Sequence, residues 1–381
     1  MRVLILNAGS SSLKTSVLDV PGAARRMPAM VASANVDWGS DATRIDASGG
    51  VVEAVRRFET EGLDLSSLEA VAHRVVHGGP SFADAVVVDD AVLAKLDALA
   101  PLAPLHNPVA VATIRAARGV LPELPHVAVF DTGFHASLPE TQRRYPVPQR
   151  WTDDWGVRRY GFHGLSVEWS VERAGQLLGR PARSLALVVA HLGSGSSVTA
   201  VLRGRSVMTS MGMTPLEGLM MGTRAGSIDP GILLRLLREN RLPLAALATD
   251  LDHASGLLGV SGKTGEVKDL LELAAGGNAR ARLALDMFVD RAAAGIAAAV
   301  TALPRLDAIV FTAGIGEHAG SIRAAIVKRL AAVGVGPISR AENGRDRVFR
   351  PASKQHGAAV LLIEAREDVV AGRHAVRALA R

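Results

Sequence analysis

The chain has 381 residues, 48% of them apolar and 21% charged, which excludes a disordered polypeptide and predicts two domains rather than one core. It contains no cysteine, so disulfides, thiolate metal sites and cysteine nucleophiles are excluded. The net charge of +6 is carried by scattered arginines, and with aromatics at only 4% there is no basic, aromatic-interleaved surface of the kind that binds single-stranded nucleic acid.

Residues 3–6 form a short apolar run after Met1 and Arg2, too short for a secretory signal. The Ala-rich segment 292–303 is likewise too short to span a bilayer. The expectation is a cytoplasmic protein with no membrane or nucleic-acid partner. The run 3–6 reads as a buried strand that meets Asn7 and then the turn Ala8-Gly9-Ser10-Ser11-Ser12-Leu13-Lys14; residues 15–20 read as its return strand. Residues 21–67 are richer in Gly, Ser and Asp and read as variable surface structure. His73-Arg74-Val75-Val76-His77-Gly78-Gly79 follows an apolar run, and the glycines leave room for a ligand beside the Arg74 fork. Helical periodicity is clear at residues 90–99, 230–239, 281–300 and 322–333. Strands alternating with helices predict an α/β layer fold.

Val129-Phe130-Asp131 places an acid at the end of an apolar strand, where α/β enzymes hold catalytic groups, although Asp is also a common helix cap. Tyr160-Gly161-Phe162-His163-Gly164 sets a histidine among small and aromatic residues, and a lone histidine is more often structural than catalytic, so by itself it carries no weight. Residues 185–190 repeat the opening pattern: an apolar strand, the turn His191-Leu192-Gly193-Ser194-Gly195-Ser196-Ser197, and a return strand at 198–202. One strand–turn–strand unit occurring twice predicts two related halves, and two turns rich in backbone N–H groups and hydroxyls suit a phosphate chain. Met221-Gly222-Thr223-Arg224-Ala225-Gly226 is a second arginine flanked by glycines. Ser261-Gly262-Lys263-Thr264 imitates the end of a Walker loop, but Leu257 stands where its first glycine belongs and no strand precedes it. A third apolar strand, 308–312, runs into Ala313-Gly314-Ile315-Gly316-Glu317-His318.

These blocks, together with Pro104-Leu105-His106-Asn107-Pro108 and residues 210–229, resemble the acetate kinase family in order and across nearly the whole chain. The resemblance implies two ribonuclease-H-like, actin-like ATPase domains with an active-site cleft between them. The expected division is residues 1–135 with 369–381, and residues 136–368. It implies reversible, direct in-line phosphoryl transfer from ATP to acetate, assisted by Mg2+ with Mn2+ as an alternative, in a homodimer; the alternatives are a propionate or other short-chain acyl kinase, or a non-catalytic nucleotide-binding regulator. Position by position it assigns Asn7 and Glu367 to the metal, with Asp368 as the alternative acid. Ser10, Ser12 and Lys14 fall on the first phosphate loop, and His191, Leu192, Gly193, Ser194 and Gly195 on the second. Arg74, Asp131, His163 and Arg224 fall on catalytic positions. Val76, Leu105, Phe162 and Pro215 fall on the apolar contacts of the substrate methyl, with Arg74 also binding substrate. Glu266, Val267 and Lys268 join Gly314, Ile315, Gly316, Glu317 and His318 at the nucleotide. Ser194 stands where the family commonly has Asn, and Glu266-Val267-Lys268 where Asp, Phe and Arg are usual. A carboxylate acceptor is already ionised at neutral pH, so Asp131 is expected to orient rather than to remove a proton.

Overall fold

The computed structural model describes all residues except 10–11, 23–26, 39–45, 339–342, 345 and 350–356. The chain divides into two units, Met1–Ala136 with Arg366–Arg381, and Ser137–Ala365. The second crossing lies at Arg366, three residues before the point expected from sequence, so Glu367 and Asp368 belong to the first unit. The reason is the helix Glu367–Leu379, which they open and which buries Val369, Val370 and Ala371.

The first unit holds β1 (Arg2–Ala8), β2 (Ser12–Asp19), β3 (Ala29–Asp37), β4 (Ala70–Val75), β5 (Val86–Val87) and β6 (His126–Phe130). They form one sheet in the order β3-β2-β1-β4-β6-β5. β1, β4 and β6 run parallel, while β2, β3 and β5 are antiparallel to their neighbours. Val3, Leu4, Ile5 and Leu6 are all buried, as a strand covered on both faces requires. On one face Leu4 and Leu6 pack with Val51, Ala54 and Phe58 of the helix Ala47–Thr60 and Ala117 of the helix Asn107–Val120. On the other lies the helix Glu367–Leu379, which approaches closely at Gly372: a Cβ there would stand 3.0 Å from Val20 and 3.8 Å from Ile5. The region 21–67, read from sequence as surface, therefore supplies an edge strand and a core helix. Its Ser-Gly-Gly start and its neighbouring polar residues hid that helix, whose apolar residues recur only on one face.

The second unit holds β7 (Ala186–Leu192), β8 (Ser196–Leu202), β9 (Arg205–Thr209), β10 (Ala308–Thr312), β11 (Arg347–Phe349) and β12 (Ala359–Leu362), in the order β11-β12-β10-β7-β8-β9. Here β7, β10 and β12 are parallel and the others antiparallel. Read from the other edge, this is the first sheet's order strand for strand. The 22-residue helix Ala279–Val300 buries Ala284, Phe288, Ala292 and Ile296 in the core beneath it. Ser261 closes a helix and Gly262, at φ 63, caps it, so the Walker-like tetrapeptide is a helix end.

Candidate active site

In the first unit the parallel strands β1, β4 and β6 end side by side. Asn7 lies near the end of β1, Arg74 near the end of β4, and Asp131 just past β6, where its N–H extends the sheet by donating to Val75 O at 3.1 Å. The carboxyl ends of parallel strands are where open α/β sheets hold ligands. Arg74 Nε donates to both Asp131 oxygens at 3.0 and 3.1 Å, and its Nη2 also bonds to Asp131. Arg74 Nη1 donates to Asn7 Oδ1 at 3.0 Å. Glu367, at the start of its helix, completes the set: its Oε2 lies 3.6 Å from Arg74 Nε and accepts from Asn7 Nδ2 at 3.4 Å. Asp368 instead pairs with Arg366 at 2.9 Å, so Glu367 is the acid that faces the cluster.

Asp131 is fully buried. Burial pushes its carboxyl up to about 6, against the pull of Arg74, and the charge of Glu367 adds to the rise. Burial also opposes the charge of Arg74, but Asp131 and Glu367 outweigh it and raise the guanidinium's pKa. The two shifts pull the pair in opposite directions, one towards the ion pair and one towards the neutral acid. Contact with both carboxylate oxygens decides for the ion pair at neutral pH, with protonation of Asp131 at acid pH.

Lys14 is exposed and pairs across β1–β2 with Asn7, which puts both side chains on one face of the sheet. Ser12 begins β2, and Gly9 N–H closes the turn on Ser12 O at 2.9 Å. Ser10 lies outside the described residues. Val76 is buried directly after β4, and Leu105 is half-buried in the turn before the helix Asn107–Val120.

The second unit gathers a different set. His163 stands at φ 60, a left-handed conformation uncommon outside glycine, at the head of the helix Gly164–Leu178. Its Nδ1 is 2.9 Å from Ser197 Oγ, and its ring stacks on His191 at 3.9 Å between centroids. His191 Nδ1 in turn lies 2.8 Å from Ser166 Oγ. Gly195, in the β7–β8 turn, is the point on which this set converges. A Cβ there would lie 3.4 Å from His163 Nε2 and 3.6 Å from Arg224 Nη1. An imidazole and a guanidinium thus face one spot that the chain keeps clear of side chain. The turn is folded by Gly193 N donating to Gly195 O at 3.1 Å and Ser196 Oγ donating to Gly193 O at 3.1 Å. Ser194 O accepts from Gly222 N at 3.2 Å, which ties the turn to the segment carrying Arg224. Arg224 Nη1 also donates to Pro215 O at 3.3 Å, and burial lowers its pKa. Phe162 is buried and Pro215 half-buried.

Residues 313–318 form a short helix after β10, with Ala313 strained at φ 65. Glu266 and Lys268 are exposed at the start of the helix Val267–Ala275, whereas the Val267 side chain is committed to the core. Leu192 is also buried in that core.

The chain matches the model of the acetokinase family over residues 2–373. It belongs to the acetokinase family. An acetate kinase of Gloeobacter violaceus is 41% identical over the whole of both chains, and one of Deinococcus radiodurans is 45% identical over 88% of this chain and 87% of its own. Among solved structures, the acetate kinase of Porphyromonas gingivalis is 30% identical, with a TM-score of 0.85 over 99% of each chain. A propionate kinase of Francisella tularensis is 34% identical, also at 0.85 and over 98% of each.

Three groups in this acetokinase chain escaped the sequence reading. Arg159 Nη2 donates to Glu217 Oε1 at 2.7 Å and its Nη1 to Met211 O at 2.8 Å, while Tyr145 OH bonds to Glu217 and accepts from Met213 N at 2.9 Å. Together they brace the segment that carries Pro215. Arg323, fully buried, donates from Nη1 to Gly316 O at 2.7 Å and Glu317 O at 3.0 Å, and so holds the 313–318 turn from beneath. Glu317 Oε1 accepts from Ala365 N at 2.9 Å, and burial raises its pKa. Asn107 is the third. The available signals were Arg159 beside Tyr160, and Glu217 and Asn107 inside family-like blocks. Nothing in the spacing shows what each side chain touches.

Among the described residues no three His, Cys, Asp or Glu side chains are grouped to hold a metal ion, and no helix is long and apolar enough to cross a membrane. Asn7, Asp131 and Glu367 carry the oxygen atoms that a hard cation prefers, although here Asn7 Oδ1 and both Asp131 oxygens accept from Arg74.

Proposed function

We propose that the protein is a carboxylate kinase that transfers the γ-phosphoryl group of ATP to acetate, reversibly, giving acetyl phosphate and ADP. The observation that carries this reading is the convergence of His163 Nε2 and Arg224 Nη1 on the bare backbone of Gly195. Phosphoryl transfer asks little covalent help. It asks for alignment and for positive groups around the equatorial oxygens, and a side-chain-free spot faced by two such donors meets that demand. His163 and Arg224 hold the transferring group, and the turn His191–Gly195 lends its N–H groups to the phosphate chain. Ser12 and Lys14, with Ser10, serve the other phosphate loop. Glu266, Val267 and Lys268 and the turn from Gly314 to His318 serve the nucleoside.

Arg74 orients the acetate carboxylate. Asp131 and Asn7 fix the plane of its guanidinium, and Asp131 takes no proton in the reaction because the nucleophile is already ionised. Val76, Leu105, Phe162 and Pro215 contact the methyl group and exclude water. Asn7 and Glu367, together with Asp131, would hold Mg2+, which would neutralise phosphate charge. We assign the protein to the cytoplasm as a homodimer.

The hydroxamate assay with ATP, Mg2+ and acetate tests this reading. Wild type forms acetyl phosphate, and Arg224→Ala loses about 10³-fold or more in kcat. Nucleotide binding without turnover in the wild type would refute it. A second reading, propionate as the preferred acceptor, is favoured by the likeness to the Francisella propionate kinase. One methylene is worth about 1–3 kcal/mol, so a panel of acetate, propionate and butyrate ranks the acceptors.

A further inference from the structure

Asn107 is fully buried, as is His77. Its side-chain amide pairs with both backbone groups of that residue. His77 N donates to Asn107 Oδ1 at 3.1 Å, and Asn107 Nδ2 donates to His77 O at 3.0 Å. A side chain thus behaves as one rung of a β-ladder. The segment it grips is held elsewhere too: Gly78 N donates to Thr132 Oγ1 at 3.1 Å and Gly79 N to His77 Nδ1 at 2.9 Å. Those bonds tie the segment to itself and to the residue after Asp131. The Asn107 pair ties it to the turn before the helix Asn107–Val120. That turn is fixed in its own right, with both His106 N and Asn107 N donating to Ala103 O at 3.0 and 2.9 Å.

Val76 precedes His77 by one residue, and Leu105 precedes Asn107 by two. We propose that Asn107 is a positioning residue that sets the spacing between Val76 and Leu105, and through it the length of acyl chain the protein accepts. The inference rests on the carboxylate kinase reading and on the placement of the substrate methyl against these two residues. Asn suits the task because it carries a donor and an acceptor at a fixed separation. Asp would set an oxygen against His77 O, Ala would leave both backbone groups unpaired, and Gln would lengthen the span by a methylene.

The test measures kcat and KM for acetate, propionate and ATP in wild type, Asn107→Asp, Asn107→Gln and, as a control on the pocket itself, Val76→Ala. In Asn107→Asp and Asn107→Gln the acetate KM rises about fivefold or more, the propionate-to-acetate ratio of kcat/KM rises about threefold or more, and the ATP KM stays within about twofold. Hydrogen exchange at residues 76–79 accelerates in both, a readout independent of turnover. Unchanged acceptor ratios in folded Asn107 variants, with Val76→Ala shifting the ratio, overturn the proposal alone. If Val76→Ala also leaves the ratio unchanged, the methyl-contact assignment falls with it; a wild type inactive on both acids refutes the kinase reading itself. Failure of both Asn107 variants to fold would make residue 107 a stability residue and would equally overturn the proposal.

Discussion

At the scale of single residues, the two charged sets make different demands on pH and on space. Asp131 titrates near 6 because burial outweighs its guanidinium partner. Below that pH the acid is neutral, and Arg74 loses the anion that fixes its plane. The predicted outcome is a fall in kcat/KM for acetate as pH drops through about 6, a limb that Asp131→Asn abolishes while lowering activity throughout. A pH profile of both proteins checks it; an identical acid limb in Asp131→Asn would assign the titration elsewhere. Gly195 tests the other set. A methyl there meets His163 and Arg224 at 3.4–3.6 Å, ordinary contact for a folded chain, yet it fills the spot both donors face. Gly195→Ala is therefore predicted to change stability by less than about 1 kcal/mol while losing about 10²-fold or more in kcat. Denaturant unfolding and steady-state kinetics on one preparation separate the two effects. Taken singly, Asp131, His163, Arg74 and Arg224 each had an ordinary structural reading, and only the family resemblance of their blocks drew them together. The sequence did not show that Glu367, 360 positions from Asn7, closes the first set, because such proximity is a property of the folded chain.

At the scale of elements, β4 and β6 carry the site on one side and a histidine pair on the other. His73 Nε2 lies 2.9 Å from His126 Nδ1, and His126 Nε2 lies 3.1 Å from Leu121 O. A carbonyl only accepts, so His126 carries its proton on Nε2, and its Nδ1 accepts from His73 Nε2–H. The remaining nitrogen, His73 Nδ1, is buried without a partner. Burial, with the repulsion of His126, holds the pKa of His73 well below its ordinary 6.5, and burial likewise lowers that of His126. The unfolded chain takes up these protons first. The stability tied to the neutral pair is therefore complete above about pH 6.5 and is lost as pH falls below it. Thermal unfolding is predicted to drop between pH 7.5 and 5.5, and His126→Phe is predicted to flatten that dependence; an equal slope in the variant would contradict the assignment. Regular elements were the most legible part of the sequence: the helices expected at 90–99, 230–239 and 281–300 appear as Asp90–Ala98, Pro230–Arg238 and Ala279–Val300. The core helix Ala47–Thr60 was not, since glycines at its start and charged residues within it mask a one-sided apolar stripe.

For the whole molecule, the organising fact is repetition. Two sheets of the same order and strand polarity arise from segments with no shared wording beyond a strand, a Gly/Ser turn and a return strand. That unit was visible in the sequence. The apolar strands that became β6 and β10 were visible too, but β3, β5, β9 and β11 were not, because they are edge strands with little apolar patterning to mark them. The chain crosses from the first unit to the second and back, and this return brings the helix Glu367–Leu379 under β1, β4 and β6. The first unit carries an oxygen-lined guanidinium and the second an imidazole–guanidinium pair. The most direct test is a rapid-quench single turnover with ATP labelled in its γ-phosphate, Mg2+ and acetate. Label should pass straight to acetyl phosphate with no labelled protein, and Arg74→Ala and Arg224→Ala should each slow that step by about 10³-fold. A phosphoprotein formed and consumed at the rate of turnover, or either variant within tenfold of wild type, would contradict it.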